Sequence, residues 1–379
     1  ASAGKKVALI ERSKAMYGGT CINIGCIPSK KLLVEAKRKP FDANESVYFH
    51  QAMERKNTLI SALRAANYKK LNDLEGVRVI NATASFLNKN TVLLKNVDDE
   101  IEVTAQRIFI NTGSTSVPLN VKGADGKYVY NSTQLLSLET LPKRLVIIGG
   151  GYISLEFACM FQAFGSKVTV LEASDTFLAR EDRDIADEML HILQARGIEV
   201  ILNCQTKELQ ENDNFTTVIT SNGNFDAEAV LVAIGRKPAT EELQLDKADI
   251  KTDERGYIIT NDYLQARENV WAMGDVAKTP QFTYMSLDDY RIVRDQLFGD
   301  SKRNRLDRKN IATSVFTYPT LAQVGLTEQQ AKAAELQFEV KKIAANSIPK
   351  AKILGQTDGL LKAIIEKESN RILGVTLFC

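Results

Sequence analysis

The sequence predicts an α/β protein with two βαβ units of the dinucleotide-binding type and an α+β region at its C-terminal end. Residues 145–172 have the pattern of a buried strand, a glycine-rich turn, a helix and a second strand that leads to Glu172, as a dinucleotide-binding unit requires. Residues 7–11 form another buried strand that also ends in an acid, Glu11. From residue 311 onward short strands surround one predicted helix, which indicates a separate α+β domain.

Composition and charge narrow the class of protein. The chain has 379 residues, of which 44% are hydrophobic and 25% charged, with a formal net charge of +2. These values are ordinary for a globular protein of two or three domains and give no argument for nucleic acid or an anionic membrane. The apolar runs are too short for a membrane span. The basic residues in 302–309 lack interleaved aromatic residues, so we expect a solvated loop there.

Cysteine use is low and fits a reducing cytoplasm. Five cysteines occur, and Cys159, Cys204 and Cys379 are predicted to be ordinary buried or half-buried thiols. The chain opens without methionine and stops within a predicted strand at residues 372–378. We therefore expect truncation at both ends, with the glycine fingerprint that should precede Glu11 missing.

The other two cysteines, Cys21 and Cys26, stand just after the first strand with four residues between them. Residues five positions apart do not share a face of a regular helix, so a bridge between them requires a distorted first turn. Gly25 provides the backbone freedom for that distortion. A thiol at a helix N-terminus is also activated as a thiolate. The pair is interpreted as a redox-active dithiol, with a purely structural disulfide as the alternative.

The stretch around these cysteines, residues 18–30, reads GGTCINIGCIPSK. It resembles the active-site signature of the flavin-dependent pyridine nucleotide–disulfide oxidoreductases, the family of dihydrolipoamide dehydrogenase, glutathione reductase and mercuric reductase. The resemblance extends over essentially the whole chain. It implies FAD and NADH as cofactors, with NADPH as the alternative to NADH, and a homodimer formed through the C-terminal domain. It also implies four segments: a first FAD-binding segment (1–117), an NAD(P)-binding domain (118–240), a second FAD-binding segment (241–308) and an interface domain (309–379).

The same resemblance assigns the FAD site. Residues 269–275 are similar to the second FAD motif of the family, in which an aspartate binds a ribityl hydroxyl, and the helix from Thr283 points its first amides at the flavin. The implied FAD-binding residues are Glu11, Gly19, Thr20, Lys30, Ala84, Thr112, Gly113, Gly274, Asp275 and Thr283.

The glycine fingerprint assigns the nucleotide site. Gly149 makes the turn and Gly151 lets the backbone approach a pyrophosphate, while Ser154 replaces the third glycine and slightly loosens helix packing. Glu172 would accept the adenosine ribose hydroxyls and repel a 2′-phosphate, which favours NADH. By resemblance, Tyr152 gates the nicotinamide pocket. Gly235 and Arg236 belong to the family's Gly-Arg-x-Pro turn and are also expected near the cofactor.

The resemblance gives the catalytic roles. Cys21 is expected to be the interchange thiol that meets substrate, and Cys26 the charge-transfer thiolate on the flavin. Lys30 and Glu156 are expected to form an ion pair beside the flavin. The two histidines, His50 and His191, lie in amphipathic helices and are predicted to be ordinary surface or satisfied residues. Neither matches the family's catalytic histidine, so this chain as given is not expected to complete a normal disulfide cycle.

The flanks of the motifs at residues 13–20, 180–186 and 282–291 are most similar to the bacterial hypothiocyanous acid reductases, a branch that includes the reactive-chlorine-resistance flavoprotein. This resemblance implies a small oxidant, hypothiocyanous acid, as substrate in bacterial oxidant defence. The alternatives are a dihydrolipoamide dehydrogenase, a mercuric reductase or, in another class, a Cu(I)-binding or redox-sensing flavoprotein. No resident metal is predicted, and zinc is disfavoured because further ligands are not placed nearby.

Overall fold

A computed structural model describes residues 4–97 and 99–379. These residues fold into two compact units. The first comprises the residues up to Pro28, Asn57–Val117 and Arg236–Arg308. The second comprises Ser29–Lys56, Pro118–Gly235 and Lys309–Cys379.

The strands, in chain order, are β1 Val7–Glu11, β2 Val77–Asn81, β3 Thr83–Phe86, β4 Thr91–Lys95, β5 Glu100–Thr104, β6 Ile108–Ile110, β7 Ser114–Ser116, β8 Val129–Tyr130, β9 Arg144–Ile148, β10 Lys167–Leu171, β11 Glu199–Ile201, β12 Thr206–Glu211, β13 Thr216–Thr220, β14 Gly223–Ala227, β15 Ala229–Val232, β16 Arg236–Pro238, β17 Gln265–Arg267, β18 Val270–Ala272, β19 Thr313–Val315, β20 Leu321–Gly325, β21 Phe338–Ala344, β22 Leu360–Glu366 and β23 Ile372–Phe378.

The helices are α1 Gly19–Asn23, α2 Cys26–Lys37, α3 Glu45–Asn72, α4 Ser132–Leu135, α5 Tyr152–Phe164, α6 Arg183–Ala195, α7 Thr283–Phe298, α8 Glu328–Ala333 and α9 Pro349–Leu354.

The first unit contains short sheets rather than one large one. Strands β1 and β2 pair in parallel, and β6 pairs in parallel with β18, which also pairs antiparallel with β17. The alternation of residues 77–86, 91–95 and 101–104 predicts the strands of a small meander, and β3, β4 and β5 form an antiparallel one. The same alternation predicts one strand over residues 77–86, which was wrong. The chain changes sheet at Ala82, which is buried, because β2 pairs with β1 while β3 pairs with β4.

The second unit is built on a parallel sheet with strand order β11-β10-β9-β15-β8. All four of its pairings are parallel. Helix α5 crosses between β9 and β10, and its fully buried Leu155, Phe161 and Phe164 join Leu145 and Val168 in one apolar core. Burial on a continuous apolar strand and a helix face is typical of a doubly wound sheet. The predicted α/β class is therefore confirmed.

The C-terminal region of the second unit is an antiparallel sheet with strand order β19-β20-β23-β22-β21. The sequence pattern predicts two or three strands in residues 337–378, and the structure has three, β21, β22 and β23. The expectation of one helix was wrong, since α9 lies between β21 and β22 in addition to α8. Its signals are local: Pro349 opens the helix, where a missing N–H is tolerated, and Gly355 closes it with φ of +63°.

Two surface predictions can be compared with the structure. The polar helical spacing of residues 44–72 predicts a long, largely solvated helix, and most residues of α3 are exposed, although Phe49, Ala52 and Met53 are buried. The basic residues in 302–309 are not a merely solvated loop. Arg308 keeps only 12% of its side chain exposed, and its guanidinium contacts Asp288 and Asp289. The ion pair of Arg308 with Asp288 joins residues 20 positions apart, so the composition of this segment does not reveal it. It holds the segment against α7.

Among the described residues, no helix is both long enough and apolar enough to span a membrane. Cys159 and Cys204 are buried as predicted, whereas Cys379 is exposed. His50 and His191 are both exposed, and His50 lies 3.7 Å from Glu54 on the same helix. The prediction that neither histidine is specialised fits these positions.

Candidate functional site

The cysteine motif forms two successive helices. Cys21 lies inside α1, and Cys26 is the first residue of α2. The predicted distortion is thus a break between helices at Ile24 and Gly25. At Gly25 a side chain is disfavoured by crowding rather than by dihedral angle, since a Cβ there would lie 3.0 Å from the carbonyl oxygen of Thr20. The close approach, and not a left-handed conformation, explains why glycine precedes the second cysteine.

Asn23 holds the short helix that carries Cys21. Its side-chain amide donates to the carbonyl oxygens of Tyr17 at 3.0 Å and Gly19 at 2.8 Å. Its own oxygen accepts from Arg64 Nε at 2.8 Å. Asn23 is only 6% exposed, so all of these bonds form away from water. A five-residue helix is unstable alone, and this side chain supplies the contacts that its backbone lacks. The sequence analysis missed Asn23.

Position and contacts make Cys26 the better placed thiolate. Cys26 is the first residue of a 12-residue helix, and the helix dipole favours negative charge at that end. Thr283 begins α7, and its hydroxyl oxygen lies 3.6 Å from the Cys26 sulfur, within reach of a hydrogen bond to sulfur. Cys26 is exposed and Cys21 half-buried. This arrangement can support dithiol–disulfide chemistry.

Asp275 follows β18 and is held by a hydrogen bond from Ser114. The Ser114 hydroxyl lies 2.6 Å from Asp275 Oδ2. Arg236 Nε donates to the same hydroxyl oxygen at 2.8 Å, and Arg236 Nη2 donates to the Ser114 carbonyl at 2.6 Å. The guanidinium of Arg236, predicted to lie near the cofactor, is therefore engaged with β7. Burial lowers the pKa of Arg236, and the charge of Asp275 acts in the opposite direction.

Gly274, beside Asp275, adopts φ of +71°, and a Cβ there would lie 2.9 Å from the Ser286 hydroxyl. Its N–H donates to Asp289 at 2.6 Å, and the fully buried Asp289 also accepts from Thr279 at 2.8 Å. The partner cation of Asp289 is Arg308. Sequence reasoning missed Asp289, since an acid within an amphipathic helix gives no local signal of such a role.

Among the other predicted FAD residues of the first unit, the two glycines have open space where a side chain would be. A Cβ at Gly19 or Gly113 would meet no atom of the described residues within 4 Å, and φ at these positions is +78° and +72°. The Thr112 hydroxyl donates to the Ala239 carbonyl at 2.8 Å. Ala84 is a half-buried residue of β3. Glu11 ends β1, where one carboxylate oxygen accepts from the Ser13 N–H at 3.0 Å.

The glycine turn of the second unit is tightly packed on two sides. Gly149 has φ of +103°, and a Cβ there would lie 2.6 Å from the Ala233 carbonyl oxygen. Gly150 donates its N–H to Glu172 Oε2 at 2.6 Å, and a Cβ would collide with the same carboxylate at 2.7 Å. The sequence analysis missed this close contact at Gly150, because it is made by a residue 22 positions away.

The next glycine faces open space, since a Cβ at Gly151 would meet no atom within 4 Å in the part of the chain that the structure describes. Gly151 is the N-cap of the 13-residue α5, so the N-terminal amides of that helix can receive a phosphate there. Gly235 has φ of +127° between β15 and β16. A tight turn, an open helix N-terminus and an acid at the end of the next strand together fit a dinucleotide.

Tyr152, the first residue of α5, donates its hydroxyl to Glu181 Oε1. Tyr152 is 37% exposed and Glu181 only 5%. Burial raises the pKa of Glu181, with the neighbouring Asp182 acting in the same direction. The carbonyl of Glu181 accepts from the Gln329 side chain at 2.7 Å. The tyrosine side chain is thus attached to a loop that the C-terminal segment supports.

Ser154, in the third glycine position, is fully buried, and its hydroxyl has no hydrogen-bond partner among the described residues. We expected that serine in place of the third glycine would only loosen the packing slightly. The structure indicates a larger effect, because a buried hydroxyl without a hydrogen-bond partner carries a desolvation cost.

Lys30 and Glu156 form the predicted ion pair, with Nζ and Oε2 2.5 Å apart. The other Glu156 oxygen accepts from the Phe316 N–H at 3.0 Å. Lys30 Nζ lies 4.7 Å from the centre of the Phe316 ring. Phe316 therefore touches both charged groups, one through its backbone and one through its ring. The sequence analysis did not identify it.

The described residues contain no group of three or more histidine, cysteine, aspartate or glutamate side chains placed to hold a metal ion. The site geometry in both units instead fits dinucleotide cofactors. Residues 1–289 match the pyridine nucleotide–disulphide oxidoreductase family, and residues 311–379 match the dimerisation domain of that family. The chain belongs to the pyridine nucleotide–disulfide oxidoreductases. FAD and NAD(P)H are the cofactors of this family, which confirms the cofactor prediction.

Individual proteins similar to this chain belong to the same family. The chain is 45% identical over 381 residues to the probable pyridine nucleotide-disulfide oxidoreductase RclA of Escherichia coli, covering 100% of this chain and 85% of the relative. It is 32% identical over 386 residues to a mercuric reductase of Staphylococcus aureus, covering 98% and 69%. It is 32% identical over 393 residues to a dihydrolipoyl dehydrogenase of Geobacillus stearothermophilus, covering 100% and 82%.

Among solved structures, the HOCl-induced flavoprotein disulfide reductase RclA from Escherichia coli matches with a TM-score of 0.94 and 44% identity, covering 100% of this chain and 85% of that chain. Its Cu(II) complex matches with a TM-score of 0.95. The predicted resemblance, the fold and the oxidoreductase class are confirmed by these matches. This chain also carries the family's dimerisation domain.

Proposed function

We propose that this protein uses NADH and FAD to reduce the Cys21–Cys26 disulfide, and that the dithiol then reduces hypothiocyanous acid in bacterial oxidant defence. The carrying observation is the cysteine motif, in which Cys26 starts α2 beside Thr283. Similarity to a relative described as HOCl-induced supports a role in oxidant defence. The flanking motifs described above support the choice of hypothiocyanous acid.

The proposed substrate step balances with two thiols. The Cys21 thiolate attacks the sulfur of HOSCN, which releases hydroxide and leaves a sulfenyl thiocyanate on the protein. Cys26 thiolate then attacks the Cys21 sulfur, thiocyanate leaves and the disulfide closes. The two electrons come from the thiols, and NADH restores them. The sum is NADH and HOSCN giving NAD⁺, SCN⁻ and water. Thiocyanate is a good leaving group, so the second step, in which the disulfide closes, requires little acid catalysis.

The chain's own residues prepare this chemistry. The helix N-terminus at Cys26 and the Thr283 hydroxyl stabilise a thiolate. FAD, when bound, carries the electron pair from the nicotinamide to the disulfide. We assign to Lys30, fixed by Glu156 and Phe316, the stabilisation of negative charge on the reduced cofactor.

The remaining assignments concern three acidic side chains and Tyr152. Asp275 and Glu11 would bind FAD hydroxyls, while Glu172 would bind the NADH ribose and Tyr152 would gate the nicotinamide. We further propose a homodimer formed through residues 311–379 and a cytoplasmic location, which the low cysteine use supports.

The test is NADH consumption by the full-length flavoprotein with hypothiocyanous acid, lipoamide or glutathione disulfide as oxidant. We expect fast turnover with hypothiocyanous acid alone, and its loss in Cys21→Ser and in Cys26→Ser. Cys379→Ser is the matched control, since Cys379 is exposed and lies outside the motif. Retained turnover in either motif variant refutes the dithiol role. Turnover confined to lipoamide would make the protein a dihydrolipoyl dehydrogenase.

A second candidate function is binding of a copper ion by the cysteine pair. Cu(II) complexes have been solved for the relative, which supports copper binding as such; one of them carries a cysteine-to-serine substitution, so they do not place the ion on the cysteine pair. Thiolates are soft ligands and suit Cu(I). Copper binding that disappears in the Cys21→Ser, Cys26→Ser double variant, with no NADH-driven turnover of any oxidant, would favour this function over the reductase.

A further inference from the structure

Ser114 lies between a cation and an anion, and this fixes the direction of its hydroxyl. A guanidinium only donates hydrogen bonds and an ionised carboxylate only accepts them. Arg236 Nε lies 2.8 Å from Ser114 Oγ, and Ser114 Oγ lies 2.6 Å from Asp275 Oδ2. The hydroxyl oxygen must therefore accept from Arg236, and its single proton must point at Asp275.

The backbone around this chain of bonds is also fixed. Strands β7 and β16 pair antiparallel, with Pro238 opposite Ser114 and Arg236 opposite Ser116. The second arm of the guanidinium donates to the Ser114 carbonyl at 2.6 Å. Ser114 is only 8% exposed, so water competes weakly for its bonds. Since charge-assisted hydrogen bonds are stronger than neutral ones, the Asp275 carboxylate is held in one orientation.

We propose that Ser114 and Arg236 are positioning residues for FAD, acting through Asp275. By holding Oδ2, they orient the carboxylate so that Oδ1 can accept a cofactor hydroxyl. The carboxylate then needs no reorientation when FAD binds, which favours tight binding. This inference rests on the proposed role of Asp275 as an FAD ligand. It changes the expected role of Arg236 from direct contact to support.

The experiment measures FAD binding without turnover. FAD is removed from the full-length protein, and the cofactor is titrated back while its fluorescence is followed. We expect Ser114→Ala and Arg236→Met each to raise the Kd for FAD by about ten- to a hundred-fold, the usual effect of losing one hydrogen bond to a charged group. The double variant should lose little more than either single one, because both act on one carboxylate.

Two variants separate positioning from general damage. Ser114→Thr keeps the hydroxyl and should restore most of the affinity. Lys237→Met removes the neighbouring cation of β16, which pairs with Glu241 at the surface, and should leave the Kd for FAD unchanged. In Ser114→Ala the unfolding temperature should rise less on adding FAD than in wild type, whatever the unfolding temperature of the apoprotein.

Asp275→Ala distinguishes failure of this inference from failure of the assignment beneath it. If Asp275→Ala keeps wild-type FAD affinity, Asp275 is not the ligand. If Asp275→Ala loses FAD but Ser114→Ala and Arg236→Met bind it as well as wild type, the positioning role is refuted. Additive losses in the double variant would also overturn it, because they would show two independent effects.

Discussion

Replacing Glu35 by glutamine should weaken the attachment of α2, the helix that begins with Cys26, to α3. Glu35 keeps only 7% of its side chain exposed, and its carboxylate contacts Lys31 at 2.5 Å and Arg55 at 2.7 Å. Its backbone carbonyl accepts from the Tyr48 hydroxyl at 3.0 Å. The hydrogen bond from Arg55 is the main reason that the pKa of Glu35 falls from 4.5 to about 2, against the opposing effect of burial.

The size of the effect follows from that pKa. By linkage, the difference between 4.5 and about 2 corresponds to roughly 3 kcal/mol of stability for the ionised group. Arg55 has 42% of its side chain exposed, and solvent weakens such a pair, so we expect about 2 kcal/mol. Because the folded-state pKa is the lower one, this stability is fully present above pH 4.5 and is lost as pH falls toward 2.

The assay is urea unfolding of the holoprotein in a fixed excess of FAD, from pH 7 downward as far as the fold persists. The unfolding free energy of Glu35→Gln should lie about 2 kcal/mol below that of wild type at pH 7. That difference should shrink below pH 4.5. Glu54→Gln is the control on α3, since the Glu54 side chain is 65% exposed. A difference that stays constant with pH would refute the electrostatic reasoning and leave only a packing effect.

Two further predictions concern buried polar groups in the second unit. Lys56, which donates to the Leu136 carbonyl, is 3% exposed, and burial lowers its pKa from 10.5 to about 8. The folded state disfavours the charged form of Lys56. As pH rises from 8 to 10.5, the unfolding free energy of wild type should therefore increase by about 2 kcal/mol relative to that of Lys56→Met. Urea unfolding measures this difference, and no increase would contradict the prediction. Ser154→Ala should raise the unfolding free energy by about 1 kcal/mol, since it removes an unsatisfied hydroxyl, and should leave the Kd for NADH unchanged. A destabilised Ser154→Ala would show that the hydroxyl is satisfied in solution.

The regions of the fold that were predictable have local signals. The strand, turn, helix and strand from β9 to β10 follow from apolar periodicity and the three glycines alone. The motif of Cys21 and Cys26 was recognisable for the same reason, since its glycines and cysteines are close in the chain. Whether a strand, turn or helix forms at these positions depends on residues a few positions apart. Their pattern can be recognised directly in the sequence.

The features that were missed depend on contacts between distant residues. Ser114 reaches Asp275 across 161 positions, and Phe316 reaches Glu156 across 160. A serine after a Thr-Gly turn and a phenylalanine before a threonine have no spacing that predicts such partners. The break in residues 77–86 was missed for a related reason. A single run of strand-forming residues does not show that its two halves pair in different sheets.

One feature of the site was visible in the sequence but was not used. Each of the two acids that end a parallel strand is followed two residues later by serine, as Glu11 by Ser13 and Glu172 by Ser174. In both places the serine N–H donates to the glutamate, at 3.0 Å and 2.8 Å. In both places the serine hydroxyl then accepts the N–H two residues further on, at 3.2 Å and 3.1 Å.

The same local structure thus occurs in both units, in two segments that have different neighbouring residues. Side chains that bond their own backbone in this way lose conformational freedom before any ligand arrives. For Glu11 and Glu172 this means that the carboxylate is oriented at the strand end in advance, in the position where a dinucleotide fold binds a ribose. A glutamate after a buried strand is weak evidence of a nucleotide site by itself. A glutamate whose following serine restrains it, repeated in two units, is a stronger reason to assign both acids to cofactor binding.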